Sequence, residues 1–322
     1  MIQIGRTEKP MIKRSAPRAT VVSTLLAIAV TASVAGCAAI AADTGATRAA
    51  SAGRAGHSSR ALLDRTPAPA AVVVRHFVLP DSHRMTVARF TGAVRFVLHC
   101  GSVDPGPPCR GKAAGPALSL TERRLVIGAF NGGFKLSAHV GGYEQGGAVI
   151  SPLVPGRASL VIYRSGAASI GTWGHGVPQP GNPVYSVRQN LVLLVRHGRP
   201  TAASAGGWGS WGGTITGAAD TARSALGENA RGQLIYVASM SATPGDLAAA
   251  LARAGAATGM ELDINPEWVQ LAYARGPGGP LRRGITGQVR PASQYVMGWT
   301  RDFIAVLAKW PPSPAPGVRA VP

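Results

Sequence analysis

The 322 residues lack a P-loop, a dinucleotide-binding glycine fingerprint, a zinc-protease motif and a serine-hydrolase elbow. Those absences set aside the commonest nucleotide, nicotinamide, metallopeptidase and esterase chemistries. No internal repeat is present, which excludes solenoids and propellers built on sequence periodicity. Beyond the first forty residues no apolar run is long enough to cross a bilayer as a helix. Cysteine is scarce, with three residues, and the seven histidines are dispersed, each reading as structural or solvated. Acidic residues are also few: 14 Asp and Glu stand against 33 Lys and Arg, a formal charge of +19. The arginines are scattered singly among Ala and Gly. With no dense basic block and no aromatic nucleic-acid motif, no nucleic-acid partner is expected. The composition bias of a GC-rich genome accounts for most of the charge. What remains is an attraction to anionic, phosphate-bearing polymers.

The N-terminus has a different character. Lys13, Arg14 and Arg18 precede an apolar run from Ala19 to Val34, the charged and hydrophobic regions of a signal peptide. The run closes on Val34-Ala35-Gly36-Cys37, which resembles the lipobox of bacterial lipoproteins, with Cys37 as the lipidated residue. An ordinary cleaved signal and an uncleaved helix reaching Ala42 are the two other readings. All three send the rest of the chain out of the cytoplasm, either lipid-anchored on the outer face of the cell membrane or secreted. Residues 38–70, rich in Ala, Gly, Ser, Thr and Arg, are expected to be a disordered tether. Residues 71–310 form the domain, and 311–322 a proline-rich tail. Within the domain, Cys100 and Cys109 flank a turn-rich segment and read as a disulfide-closed loop. The alternative, a metal pair, lacks a second ligand couple at suitable spacing.

The stretch that organises the domain is Gly259 to Trp268. Read as a strand, it places Met260, Leu262 and Ile264 on one face and Glu261, Asp263 and Asn265 on the other. Pro266 is expected to hold Asn265 extended and to end the strand, opening the polar face into a loop. Upstream, Gln233–Ser239 is a short apolar strand. Thr243-Pro-Gly-Asp246 then supplies a helix cap, a proline at the first helical position and an acid three after the cap. Leu247, Ala250, Leu251 and Ala254 recur at helical spacing. Strand, helix and strand make a βαβ crossover with two parallel strands side by side. The expected class is therefore α+β: one domain rich in mixed β-sheet, with a βαβ unit in its C-terminal half. Elsewhere, the apolar strand Leu125–Phe130 ends in Asn131-Gly132-Gly133-Phe134, where glycines permit a tight turn or close approach to a ligand. Glu144 lies in a second glycine-rich segment and reads either as a solvated charge or as a second carboxylate. Trp208 and Trp211, within Gly206–Gly213, read either as a sugar-stacking platform or as a loop tucked on the core.

Four segments in order resemble the phosphodiester glycosidase family, whose members remove N-acetylglucosamine from a phosphodiester. Ala129-Phe-Asn-Gly-Gly-Phe134 is similar to a family strand ending in Asn-Gly-Gly-Phe. Gln189-Asn-Leu-Val-Leu-Leu-Val195 with Gly198 resembles its glutamine-led strand and turn. Ala222-Arg-Ser-Ala-Leu-Gly227 with Gly232-Gln-Leu-Ile-Tyr236 is similar to its Arg-Thr-Ala-x-Gly hairpin. Glu261-Leu-Asp263 falls where the family has Leu-Asp-Gly-Gly, and here Ile264-Asn265-Pro266 replaces the glycines. The resemblance implies one pocket in which Asp263 and Arg223 are catalytic and Asn131, Gly132 and Gly133 bind substrate. Glu144, Glu261 and Asn265 join them as candidates from the residues themselves. The substrate implied is a carbohydrate or sugar phosphate, and the activity a glycosyl-phosphodiester hydrolysis with no cofactor. A calcium or magnesium ion on Glu261, Asp263 and Asn265 is the minor alternative, and a non-catalytic envelope lipoprotein binding anionic polysaccharide is the alternative function.

Overall fold

The computed structural model describes residues 69–109 and 114–309. The expected leader with Cys37, nearly all of the expected tether and the proline-rich tail lie outside the described residues. Strands dominate the rest, arranged in three sheets. The one helix longer than four residues among the described residues is Pro244–Arg253. The class is therefore β-rich, which corrects the expected α+β.

The correction has a physical origin in the seven-stranded sheet. The helix forms where its capping signal predicts, with Thr243 and Asp246 closing a reciprocal capping box. The flanking strands Leu234–Ala242 and Ala256–Ile264 do run in the same direction. They are not neighbours, however, because Thr221–Asn229 lies between them and pairs antiparallel with both. That strand enters as the first arm of a hairpin. The Asn229 carboxamide accepts from the Arg231 and Gln233 amides, and Gly232 takes φ +72, so the chain folds straight back. A local hairpin thus fills the gap a crossover would otherwise leave, and the sheet is antiparallel throughout.

The sheet's two faces bury different partners. Leu247, Leu251, Ala225, Val237 and Trp211 pack on the helix side. On the other side Leu226, Tyr236, Met260 and Leu262 meet Phe90, Phe130 and Ile304 in the larger core. Fully burying each such side chain stabilises the fold by roughly 1.5–3 kcal/mol. The five-stranded sheet contributes Val126–Asn131 and Phe303–Ala308 as adjacent antiparallel strands, with Asn131 opposite Phe303. The segment Gln189–Val195 is divided between sheets. Val184–Gln189 belongs to the six-stranded sheet and Leu193–Arg196 to the seven-stranded one, with Leu191 at φ +53 between them. Cys100 and Cys109 are disulfide-bonded, as their loop predicts. Among the described residues no helix is long and apolar enough to cross a membrane.

Candidate active site

A bulge decides where the polar side chains of the organising strand point. Arg223 is opposite Ile264 and Ala225 is opposite Glu261, so the single residue Ser224 on one strand faces two, Leu262 and Asp263, on the other. Such an insertion reverses the alternation locally and re-aims a side chain. Ile264 accordingly joins the helix-side cluster with Trp211 and Leu247. Leu262 stays in the inter-sheet core. Glu261 pairs with Arg223, while Asp263 is carried away from it. The single polar face expected of Glu261, Asp263 and Asn265 does not exist.

Asp263 instead faces the glycine loop. Its amide donates to the Gly132 carbonyl at 2.9 Å, and its own carbonyl accepts from the Ser224 hydroxyl at 2.8 Å. Its carboxylate meets Arg301 Nη2 at 2.9 Å and accepts from the Ile264 amide at 2.9 Å. The Arg301 guanidinium also donates to the Gly133 carbonyl at 3.1 Å, and its Nε lies 3.2 Å from Asp104. Burial pushes the Asp263 carboxyl up to about 7, the pull of Arg301 only partly opposing it. The Asp263 side chain is 8% exposed. Beside it Arg301 stacks 5.1 Å from the centre of the half-buried Trp268 ring, and the exposed Lys135 ammonium sits 5.7 Å from the same ring. Asp263 thus has one cation, Arg301, against it, and that cation lies on an aromatic ring which also carries Lys135.

The two glycines matter for packing and not for positive φ. A Cβ on Gly132 would lie 2.2 Å from an Asp302 carboxylate oxygen, and one on Gly133 would lie 3.0 Å from the Arg188 guanidinium carbon. Asp302 and Arg188 form a buried ion pair at 2.7 Å. Arg188 donates further to the carbonyls of Gln189 and Phe134. The glycine loop is thus wedged between the Asp302–Arg188 pair and the Asp263 backbone. Gly132→Ala is expected to push the Asp302 carboxylate off Arg188 and to destabilise by about 1–3 kcal/mol. Thermal denaturation compared with wild type checks this, and an unchanged midpoint would show that the loop tolerates a methyl group.

The other predicted site residues take distinct places. Asn131 donates to Ser224 Oγ at 2.8 Å and accepts from the Tyr236 hydroxyl at 2.9 Å and the Gln270 amide at 3.2 Å. It therefore ties the two sheets together beneath Asp263. Arg223 and Glu261 are 0% exposed and pair at 2.8 Å. Arg223 also donates to the carbonyls of Ala242, Trp211 and Ala219, which leaves little of its fork for a ligand. Burial raises the Glu261 carboxyl against the pull of Arg223, and its second oxygen has no hydrogen-bond partner. Glu144 stands apart. Its neighbours Tyr143 and Gln145 are buried, Tyr143 against Arg188, so Glu144 takes the opposite side of that strand. Asn265 is not extended as Pro266 predicts. It adopts φ +74, a conformation asparagine tolerates, and its side chain bonds Ile215, Gly213 and Thr221. It clamps the glycine-rich segment, whose Trp211 is 2% exposed and donates to the Ala203 carbonyl. The aromatic surface at the site is Trp268 instead.

For a metal, the described residues gather Asp81, His83 and Asp246, not Glu261, Asp263 and Asn265, whose side chains have separate partners. In that cluster Asp246 Oδ2 already accepts from the Thr243 amide and hydroxyl, so its role is the helix cap.

Sequence reasoning missed Arg188, Arg301, Asp302, Asp104 and Trp268. For Arg188 a signal existed. An arginine at an inward position of Val184–Gln189, with buried neighbours on both sides, must find a carboxylate. Arg301-Asp302, immediately before the apolar Phe303–Ala308, is the same kind of signal.

No protein-family model matches the chain, and no curated protein sequence does. Among solved structures it is similar to the catalytic domain of zebrafish N-acetylglucosamine-1-phosphodiester alpha-N-acetylglucosaminidase, auto-inhibited by its pro-peptide. The TM-score is 0.47 at 13% identity, over 77% of this chain and 85% of that one. It is also similar to a hypothetical protein from Synechocystis, with TM-score 0.45 and 13% identity over 74% of this chain and 62% of that one. At these values the function is argued from the residues.

Proposed function

We propose that the chain is an exported hydrolase that cleaves a glycosyl phosphodiester, with Asp263 as its catalytic carboxylate. The observation that carries this reading is the placement of Asp263. It is a buried carboxylate held near neutrality, beside the Arg301 guanidinium, next to a half-buried tryptophan with a lysine on its rim. Lys135, exposed beside Trp268, offers a charge for the phosphodiester. Hydrolysis breaks the bond between the anomeric carbon and the phosphate oxygen, and the phosphate leaves with the electron pair. Asp263 takes a proton from the attacking water, and its charge stabilises the oxocarbenium-like state. Phosphate leaves without a strong general acid, so one carboxylate suffices. Asn131, Gly132 and Gly133 hold the strand end under Asp263, and the Arg223–Glu261 pair positions the bulge. Export is supported by the leader-like N-terminus and the Cys100–Cys109 disulfide; in this reading Cys37 anchors the enzyme to the membrane surface.

Because the base acts only when ionised, kcat/KM is expected to rise with pH and level off above about 7. A rate independent of pH from 5 to 8, or one that falls across that range, would remove Asp263 from this role. The enclosure of Asp263 favours a second reading, a polysaccharide-binding envelope protein without turnover. Salt-sensitive binding with no sugar released distinguishes it.

A further inference from the structure

A cavity of about 460 Å³ lies on the helix side of the seven-stranded sheet, the face opposite Asp263. The outer hairpin, Ala71–Val78 paired with Arg84–Thr91, lines it together with Arg253 and Ala254 at the C-terminal end of the Pro244–Arg253 helix. Val73 is opposite Arg89 and Arg75 is opposite Val87, so all four side chains share the face left open. Arg253, in the last turn of the helix, closes the cavity by stacking 4.8 Å from the Phe77 ring. Arg89 donates to the Ala254 carbonyl, which offsets the partial negative charge of that helix end.

Three guanidiniums therefore converge on an apolar floor, and no acidic residue lines the cavity. Among the described residues none of Arg75, Arg89 and Arg253 is in an ion pair. Cations without a counter-charge, around a concavity of ligand size, call for an anion. The chain's own residues 38–68 do not supply it, since they carry four arginines against two aspartates. Nor is the cavity shaped for nucleic acid. Its one aromatic ring is covered by Arg253, so no stacking platform is free for a base.

We infer that this cavity is a binding site for an anionic saccharide, whose phosphate or carboxylate groups meet Arg75 and Arg253 while its ring lies on Val73 and Val87. It is separate from the Asp263 cluster and does not rest on turnover there, so either can fail without the other. In an extracellular setting it would hold the protein on a charged glycan.

The test is an anisotropy titration of the purified protein with fluorescent dextran phosphate, with uncharged dextran and inorganic phosphate as comparisons. Wild type is expected to bind dextran phosphate, to ignore dextran, and to bind free phosphate much more weakly. Arg75→Gln with Arg253→Gln, both exposed positions, is expected to weaken binding about tenfold. A control of equal charge, Arg282→Gln with Arg283→Gln at another exposed site, is expected to change it less than twofold. Equal weakening by both pairs would mean that the +19 charge acts diffusely and would overturn the site. So would a wild type that does not bind. Binding matched by inorganic phosphate at equal phosphate concentration would overturn the saccharide assignment, as would tighter binding to duplex DNA with the same arginine dependence. The melting midpoint of each variant, together with Arg75→Gln alone, separates lost binding from lost folding.

Discussion

Asp263→Asn is expected to make the protein both more stable at pH 8 and inactive. The Asp263 carboxyl, ordinarily near 3.8, is pushed up to about 7 by burial in the folded protein. A raised carboxyl means that folding favours the protonated form. The stability it contributes is therefore complete below pH 4 and is lost as the pH rises through 7. Asparagine keeps the shape of the protonated form, with an oxygen for the Ile264 amide, and Arg301 retains Asp104 and the Gly133 carbonyl. The variant should thus match wild type near pH 4 and exceed it by on the order of 2–4 kcal/mol at pH 8. Sugar release should fall by about a thousandfold or more, because the group that ionises is gone. Denaturant titrations at the two pH values check the first half. If the variant is less stable than wild type at pH 8, the carboxylate is a structural partner of Arg301 and not a strained functional group.

The second large effect lies in the pair beneath the glycine loop. Arg188 and Asp302 have side chains 1% exposed. Removing one partner leaves a buried charge without compensation, which typically costs about 3–5 kcal/mol. Arg188→Met should therefore lower the thermal midpoint by roughly 10 °C for a domain of this size. Adding Asp302→Asn removes the orphaned charge and should recover a large part of the loss. A midpoint within about 2 °C of wild type for Arg188→Met alone would show that the aspartate finds water or another cation.

Most local signals in this chain are faithful, the extended Asn265 expected before Pro266 being the exception, and the non-local ones are not. The Thr243–Asp246 capping box, the apolar strands and the cysteine loop are each fixed by neighbours a few residues apart, and each formed as expected. The sheet order was not legible, because whether a hairpin inserts between two parallel strands depends on packing across the whole sheet. The bulge at Asp263 was hidden for the same reason. Period-two alternation predicts one face, and only the pairing with Thr221–Asn229 shows that an extra residue is present. The sequence places Asp263 with Arg223, whereas its guanidinium partner is Arg301. Arg223 and Asp263 are near in the sheet, yet the bulge turns them to different sides. Trp268, a single aromatic after a proline, carries no periodic signal, and of the two tryptophans among glycines Trp211 is core.

The most direct measurement is the time course of sugar release from a glycosyl phosphodiester at pH 8 by wild type and by Asp263→Asn, both shown to be folded. Release by wild type alone is the predicted result. Equal release by the two proteins, or none by either, would contradict the assignment of a catalytic carboxylate to Asp263.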